Sequence, residues 1–324
     1  MSAASRDFIG QDAAWIEWIG ALLSDRMHHA WLLSGPQGLG KRAFAMAAAA
    51  EMMAREGGNR PAPESDPDII VLNHAPKDDK EAAKQAQGKP FEVKRNITVN
   101  QIRAMQKRLT TRPTLGDRRC VIINPADDLE TAAVNALLKS LEEPPEGTFF
   151  LLIAHQPGKL LPTVRSRCRV LRFARLSPVE IEALLVRDMP QADDDLRAAA
   201  IAAAQGSPGV ALSFVEHRLA FLHELMLRIM REGDRDFALR GALAKEMGTR
   251  PTRQKQTAAL DLARATLAAE LPDAPRAVQL AIIEAHGEMT RLSAQAPVYN
   301  FDSGLLIMEI GGLLARTALP REAA

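Results

Sequence analysis

Residues 119–168 read RCVIINPADDLETAAVNALLKSLEEPPEGTFFLLIAHQPGKLLPTVRSRC, and this stretch decides the fold. Its apolar runs 120–123 and 149–153 have the length and branching of buried strands. Between these runs, apolar residues recur at helical spacing until Pro144-Pro145, where a helix must end. The stretch therefore predicts a strand–helix–strand unit, which is the layout of a nucleotide-handling core.

The acidic residues before this helix have a predicted role in starting it. Asp127 or Asp128 stands where an N-cap is expected, and Glu130 lies three residues after Asp127. This arrangement resembles a capping box. We therefore predict that these carboxylates cap the helix and do not hold a metal.

The composition restricts the class of protein. A chain of 324 residues suggests about two domains. Its 47% hydrophobic and 25% charged content is ordinary for a soluble globular protein. Aromatic residues make up only 4% while alanine is abundant, which favours helices over antiparallel sheet. The net charge of +1 argues neither for nor against nucleic acid, so any basic surface must be local.

Two further features concern the cellular compartment. No window reaches the roughly 18 apolar residues of a membrane span, and the N-terminal sequence MSAASRDFIGQD lacks the apolar region of a signal peptide. The two cysteines, Cys120 and Cys168, are interpreted as small buried hydrophobes in a reducing cytosol. We expect a cytoplasmic protein without membrane contact and without a metal site.

A glycine-rich loop lies upstream of the opening stretch. A predicted helix at 13–27 and a short buried strand at 30–33 lead into the loop GPQGLGKR at 35–42, and an alanine-rich helix follows at 42–55. Between a strand and a helix, such a loop aims backbone N–H groups at phosphate oxygens, and its lysine neutralises phosphate charge. The candidate phosphate-binding residues are Gly35, Gly38, Gly40 and Lys41.

The same loop departs from an intact phosphate loop at its last position. Arg42 stands where a Ser or Thr hydroxyl would hold Mg²⁺. After the strand at 120–123, an ATPase of this kind carries an Asp for the metal and a Glu for the attacking water. Asn124 and Pro125 stand there instead. The sequence therefore predicts an ATPase fold without ATPase chemistry, in which ATP binding is weak or absent.

The segment between the loop helix and the opening stretch changes character. Residues 56–91 are predicted to be surface loop with a brief strand at 68–72, and residues 94–119 are strongly basic against one acid, Asp117. The basic residues are Lys94, Arg95, Arg103, Lys107, Arg108, Arg112, Arg118 and Arg119. Apolar residues at helical spacing place these charges on the opposite face of a helix, where a solvated surface is the default interpretation. A contact with DNA phosphates or a neighbouring subunit is the sharper alternative.

After Arg172 the pattern predicts helices alone. Ser177 and Pro178 have the types expected at an N-cap and a first helical position. Short helical segments continue to about residue 214, and every later segment is amphipathic. We predict three domains: an α/β core at 1–172, a small helical lid at 173–214 and an all-helical domain at 215–324.

Several motifs occur in an order that resembles a known family. They are Ile9-Gly10-Gln11, His28-His29-Ala30, the loop Gly35 to Lys41, NALLKSLEEPP at 135–145, and Ser166-Arg167-Cys168. Together they resemble the AAA+ clamp-loader subunits of bacterial DNA polymerase III over about residues 8–212. The resemblance implies a RecA-like parallel sheet core, a helical lid and a C-terminal helical collar that oligomerises.

Within this family, motor subunits keep the hydrolysis residues, whereas delta-prime subunits have degenerate ones. This chain resembles the delta-prime subunits. Ala154 stands where the family has a sensor threonine, and Gly209 where an arginine usually meets the γ-phosphate. From spacing alone, a structural salt bridge is the better interpretation of Arg167. The resemblance instead implies an arginine finger of the SRC motif that completes the ATP site of an adjacent subunit.

One departure concerns zinc. Many family members carry four cysteines after the phosphate-loop helix, but the corresponding segment at about 51–67 has none. We therefore predict no zinc and expect another interaction to hold this segment. His28 and His29 are interpreted as structural, because no cysteine or acid cluster accompanies them in sequence.

The resemblance implies a non-hydrolysing stator in the clamp loader, which opens the sliding clamp onto primed DNA. Its implied partners are the tau/gamma and delta subunits in a five-membered hetero-oligomer, the sliding clamp and primer-template DNA, all within the DNA polymerase III holoenzyme. Two alternatives stay open at this point. One is an active ATPase motor of the tau/gamma type, and the other is a nucleotide-binding adaptor outside replication.

Overall fold

The computed structural model describes residues 8–24, 27–55, 60–89, 91–296 and 301–318. The chain forms two compact units, Met1–Ala174 and Arg175–Ala324. The helix predicted at 13–27 ends at Leu22, so its predicted end is wrong. Residues 25–26, the N-terminal residues 1–7 and Gly57-Gly58 of the predicted surface loop lie outside the described residues.

The first unit is built on a parallel sheet of five strands in the order β2-β3-β4-β1-β5. The strands are β1 Ala30–Ser34, β2 Ile69–Leu72, β3 Arg119–Ile123, β4 Thr148–Ala154 and β5 Arg169–Arg172. Strands β3 and β4 are the two apolar runs of the opening stretch, and β1 lies beside β4 with Leu32 opposite Leu152. The predicted strand–helix–strand unit is confirmed.

In the described part of the first unit, six α-helices accompany this sheet. They are α1 Asp12–Leu22, α2 Lys41–Ala54, α3 Asp79–Ala86, α4 Val99–Leu109, α5 Thr131–Glu142 and α6 Pro162–Arg165. Because side chains alternate along a strand, the sheet feeds two separate apolar clusters. Trp31 and Leu33 join one cluster with Phe44 of α2, whereas Leu32 joins the other with Leu137 of α5. The sheet is therefore covered on both faces, as a parallel sheet requires.

Residues 77–84 form a charged run within the predicted surface loop at 56–91, and the loop prediction is wrong for this run. It contains helix α3, in which Asp78 caps the start by accepting a hydrogen bond from Glu81 N at 2.9 Å. The Glu81 carboxylate pairs with Lys84 and also accepts from Glu92 N. Local capping and these polar contacts stabilise the helix, so it needs no apolar stripe that periodicity could reveal.

The predicted capping role of the acids before α5 is also wrong. Asp127 and Asp128 lie in a 3-10 turn, and α5 begins at Thr131. Asp127 accepts hydrogen bonds from His155 N and Gln156 N, while Glu130 accepts from Val99 N. These carboxylates connect segments that are distant in sequence, which a reading of neighbouring residues cannot detect.

The second unit consists of helices in its described part. They are α7 Pro178–Asp188, α8 Asp194–Ala204, α9 Pro208–Glu216, α10 Ala220–Glu232, α11 Ala238–Met247, α12 Arg253–Glu270, α13 Arg276–Gln295 and α14 Ser303–Ala315. The predicted cap of α7 is confirmed, because Ser177 accepts from Glu180 N and Glu180 accepts from Ser177 N. The predicted lid and the domain at 215–324 both lie in this unit, and their separation stays a prediction. Within the described ranges, no helix is long and apolar enough to span a membrane.

Candidate functional site

The glycine-rich loop joins β1 to α2, as its sequence predicts. Gly40 precedes the first residue of α2 with φ 76°, a left-handed conformation that favours glycine. At Gly35 the backbone approaches Phe173 so closely that a Cβ atom would lie 2.7 Å from the Phe173 carbonyl oxygen. Both glycines are therefore required by the path of the chain, and Gly38 lies between them with φ 83°.

Lys41 is buried, with only 3% of its surface exposed. Its ammonium donates hydrogen bonds to the carbonyl oxygens of Gly35 and Pro36, each at 2.5 Å. The ammonium group that would contact phosphates is thus hydrogen-bonded to the backbone of its own loop. Burial lowers the pKa of Lys41 from 10.5 to about 8, and the negative charge of Asp127 opposes part of this shift.

Replacing Lys41 with Met is expected to stabilise the first unit at neutral pH. Below pH 8 the lysine is charged in both states, so its burial costs the folded state up to about 3 kcal/mol. Between pH 8 and 10.5 the folded state loses the proton first, and this cost disappears. In urea unfolding, Lys41→Met should therefore raise the midpoint at pH 7, and the gain over wild type should shrink towards pH 10. Lys107→Met, at an exposed lysine, is the control and should show no such pH-dependent difference.

The positions expected to hold Mg²⁺ do not fit that ion. Arg42 is exposed at the start of α2 and brings a positive charge. The Asn124 side chain, which is neutral, donates to the side-chain oxygen of Asn73 at 3.2 Å. Pro125 has no carboxylate, and the nearby acid Asp127 already accepts two backbone N–H groups. A divalent cation prefers several oxygen ligands with negative charge, which this arrangement does not offer.

The two positions that the resemblance assigns to sensor residues, Ala154 and Gly209, lack side chains that could contact a phosphate. Ala154 ends β4, is fully buried, and its carbonyl oxygen accepts from Gly35 N at 3.3 Å. This hydrogen bond places Ala154 directly beside the glycine-rich loop. Gly209 lies in the first turn of α9 in the second unit.

Arg167 lies just after α6, with 34% of its side chain exposed. Its guanidinium donates to the carbonyl oxygen of Thr163 at 2.9 Å and pairs with Glu142 at 2.6 Å. Ser166 donates to the same Thr163 oxygen, and Cys168 is buried, which raises the pKa of its thiol to about 12. Among the described residues, no hydrogen bond or ion pair joins Arg167 to the glycine-rich loop. The chain therefore carries two separate features, a buried loop lysine and a half-exposed arginine.

Comparison with known proteins decides the family. The family described as DNA polymerase III, delta subunit, matches residues 10–177, which is more than half of the chain. The chain belongs to this family. A DNA polymerase III subunit delta′ of Pseudomonas aeruginosa is 37% identical over 155 residues, which cover 43% of this chain and 41% of that protein. The predicted resemblance to delta-prime subunits is confirmed.

Two other relatives extend the comparison. A DNA polymerase III subunit gamma/tau of Mycobacterium tuberculosis is 32% identical over 226 residues, or 67% of this chain and 37% of that protein. The matched region thus spans less than half the length of either curated relative. The crystal structure of a DNA polymerase III gamma subunit-related protein from Thermotoga maritima has a TM-score of 0.51 at 18% identity, covering 93% of this chain and 98% of that one. The predicted AAA+ fold class, a parallel α/β core followed by helices, is confirmed.

In this delta-prime family member, the last residue of the basic stretch is not on the surface. Arg119 was predicted to lie on the solvated face, but it is buried, with 4% exposed. Its guanidinium donates to the carbonyl oxygens of Arg108, Thr111 and Arg112. Arg119 is the first residue of β3 and directly precedes its apolar run, and Asp68 directly precedes the neighbouring strand β2. A charged residue at the start of each of two buried strands is a pattern that could have indicated a buried pair.

A buried charge network holds the segment that lacks the cysteines. Arg60 pairs with Asp66 at 3.0 Å and lies 3.5 Å from Asp68, while Arg119 lies 4.0 Å from Asp68. Asp68 is fully buried and also accepts from the backbone N–H groups of Thr114 and Leu115. The network ties residues 60–68 to the loop before β3. It is the other interaction that the missing cysteines led us to expect, and sequence reasoning did not identify its members.

The histidine pair makes backbone contacts. The two rings stack at 4.7 Å, and His28 Nδ1 lies 2.8 Å from the Ala30 carbonyl oxygen. His29 Nε2 lies 2.8 Å from the carbonyl oxygen of Leu141, near the end of α5. Within the described ranges, no group of three or more His, Cys, Asp or Glu side chains could hold a metal ion. The absence of zinc stays a prediction.

Proposed function

We propose that this chain is a non-hydrolysing, delta-prime-type subunit of the DNA polymerase III clamp loader. It would act in the cytoplasm as a stator that helps load the sliding clamp onto primed DNA. The observation that carries the proposal is the contrast between two features. The chain's own nucleotide site has Arg42 and Asn124 at its metal positions, whereas the side chain of Arg167 is one-third exposed, so that another molecule could reach it.

The chemistry of the loop supports a silent site. Phosphoryl transfer depends on a metal that neutralises charge and on a residue that orients water. Arg42, Asn124 and Pro125 provide neither, and Lys41 is occupied by the carbonyl oxygens of its own loop. Weak binding of ATP without turnover is compatible with this arrangement, and no cofactor is required for the fold.

The chemistry of Arg167 supports a role in trans. A guanidinium is always charged and can meet two phosphate oxygens at once. The hydrogen bond to Thr163 and the ion pair with Glu142 use Nη1 and Nη2, which leaves further N–H donors of the guanidinium for another partner. We propose that they reach the ATP bound by a neighbouring motor subunit.

The proposed partners follow from the family. They are the tau/gamma and delta subunits in a five-membered hetero-oligomer, the sliding clamp and primer-template DNA. The helices at 215–324 would form the collar of this assembly. Exposed basic residues of α4, Arg103 and Lys107, are candidates for contact with DNA or a neighbouring subunit.

An ATPase assay of the isolated chain tests the silent site. We expect no Mg²⁺-dependent ATP turnover above background, because the metal positions are lost. Turnover that depends on the chain and that Lys41→Met abolishes would contradict the proposal. A second test is a pull-down with this chain as bait, which should recover the tau/gamma and delta subunits.

An active motor is the second candidate. The similarity to a gamma/tau subunit covers 67% of this chain, more than the delta′ match does. It would require Arg42, Asn124 and Pro125 to be compatible with hydrolysis, and the ATPase assay separates the two candidates. An adaptor outside replication is favoured only if pull-down recovers neither tau/gamma nor delta.

A further inference from the structure

We propose that Glu142 is a positioning residue for Arg167, which it holds in the orientation needed to meet a neighbouring subunit's nucleotide. This inference rests on the proposed function. Glu142 and Arg167 are 25 residues apart in sequence, and one ion pair joins them. The inference adds Glu142 to the proposed site as the residue that orients the Arg167 guanidinium.

The arginine is held at two points. Nη1 donates to Thr163 O on α6 at 2.9 Å, and Nη2 pairs with Glu142 Oε1 on α5 at 2.6 Å. A single contact would leave a long side chain free to rotate about its remaining bonds. Two contacts on different helices fix the plane of the guanidinium, and these contacts do not use its other N–H groups.

The position of Glu142 on its helix is unusual for stability. Glu142 is the last residue of α5, and Glu143 follows it directly. Carboxylates at a helix C-terminus are unfavourable, because the last carbonyl groups already carry partial negative charge. This negative end attracts cations: Lys139 lies in the last turn of α5, and Arg167 pairs with Glu142 from outside the helix. A carboxylate in this place does not stabilise the helix, but it can bind and orient an arginine.

The end of α5 is itself fixed. The Leu141 carbonyl oxygen accepts from His29 Nε2, which must carry the proton because a carbonyl oxygen cannot donate. Leu141 is buried with 1% exposed. The residue next to Glu142 is therefore anchored in the core. This anchoring fixes the backbone from which the Glu142 carboxylate contacts Arg167. A site that must orient a reacting group requires this kind of support.

The test is made on the assembled clamp loader with ATP and primed DNA. Glu142→Ala should lower the single-turnover rate on the order of tenfold, because loss of orientation slows the chemical step. KM for ATP should change much less than kcat. Glu142→Gln keeps an acceptor and should recover part of the loss. Glu143→Gln, at the neighbouring exposed glutamate, is the matched control and should behave as wild type.

A double variant separates positioning from other causes. In loaders carrying Arg167→Ala, adding Glu142→Ala should cause no further loss, because the residue being oriented is gone. An equal loss in both backgrounds would overturn the inference, and so would wild-type rates in Glu142→Ala loaders whose Arg167→Ala counterparts are slow. If Arg167→Ala itself has wild-type rates, the proposed finger role fails and the inference fails with it. Unfolding midpoints of the isolated variants should stay close to wild type, since the pair is solvent-exposed.

Discussion

Arg167→Ala is expected to slow ATP turnover in the assembled clamp loader by roughly 10³-fold at the neighbouring site that we propose Arg167 completes. An arginine supplied in trans stabilises charge that develops on the transferred phosphoryl group, and alanine leaves that charge to solvent. The measurement is single-turnover hydrolysis by the loader in the presence of primed DNA. The isolated variant should remain folded, because the Arg167 side chain is one-third exposed and its ion pair lies at the surface.

Two control variants make this result specific. Arg165→Ala removes an exposed arginine two residues away and should leave turnover unchanged. Arg167→Lys keeps the positive charge but cannot form two hydrogen bonds in one plane, so it should restore only a small part of the rate. Normal turnover in an Arg167→Ala loader of normal subunit composition would contradict the finger role. It would also return Arg167 to the structural salt bridge that its spacing alone suggests.

The sequence predicts most of the first unit because buried strands and tight turns leave simple local patterns in it. Apolar runs identify β3 and β4, and glycine spacing identifies the loop before α2. Helix α3 is missed because polar contacts stabilise it in place of an apolar stripe. The capping prediction for Asp127 fails because its hydrogen-bond partners are 28 and 29 residues away.

The candidate site shows the same division. Residues Gly35 to Lys41 lie in one continuous segment, so their spacing alone predicts the glycine-rich loop between a strand and a helix. Glu142 is part of a recognised motif, but its partner Arg167 follows only from the packing of α5 against α6. In the sequence, Asp68 is only the first residue of a predicted strand, and its buried partners come from segments about 8 to 51 residues distant. Long-range electrostatic partners are the part that a single sequence does not reveal.

Asp68→Ala is expected to destabilise the first unit by about 3–5 kcal/mol, because it removes the central partner of a buried charge network. Asp68 is fully buried between Arg60 and Arg119. Its two oxygens also accept from Thr114 N at 2.6 Å and Leu115 N at 2.8 Å. Alanine would leave two backbone donors without this acceptor and two guanidinium groups without this compensating charge. Such a loss is large compared with the total stability of an ordinary domain.

Tryptophan fluorescence during urea unfolding measures this effect on the first unit alone. All three tryptophans of the chain, Trp15, Trp18 and Trp31, belong to that unit. The urea midpoint of Asp68→Ala should fall with an unchanged slope, which indicates lost stability and not an altered unfolded state. Glu64→Ala, at an exposed acid in the same segment, should unfold as wild type does. Asp68→Asn keeps an acceptor oxygen but no charge, and an intermediate midpoint is expected. If Asp68→Ala unfolds at the wild-type midpoint, the charge network does not stabilise the segment at 60–68. Removing a buried carboxylate with four partners must lower the midpoint if those contacts contribute to folding.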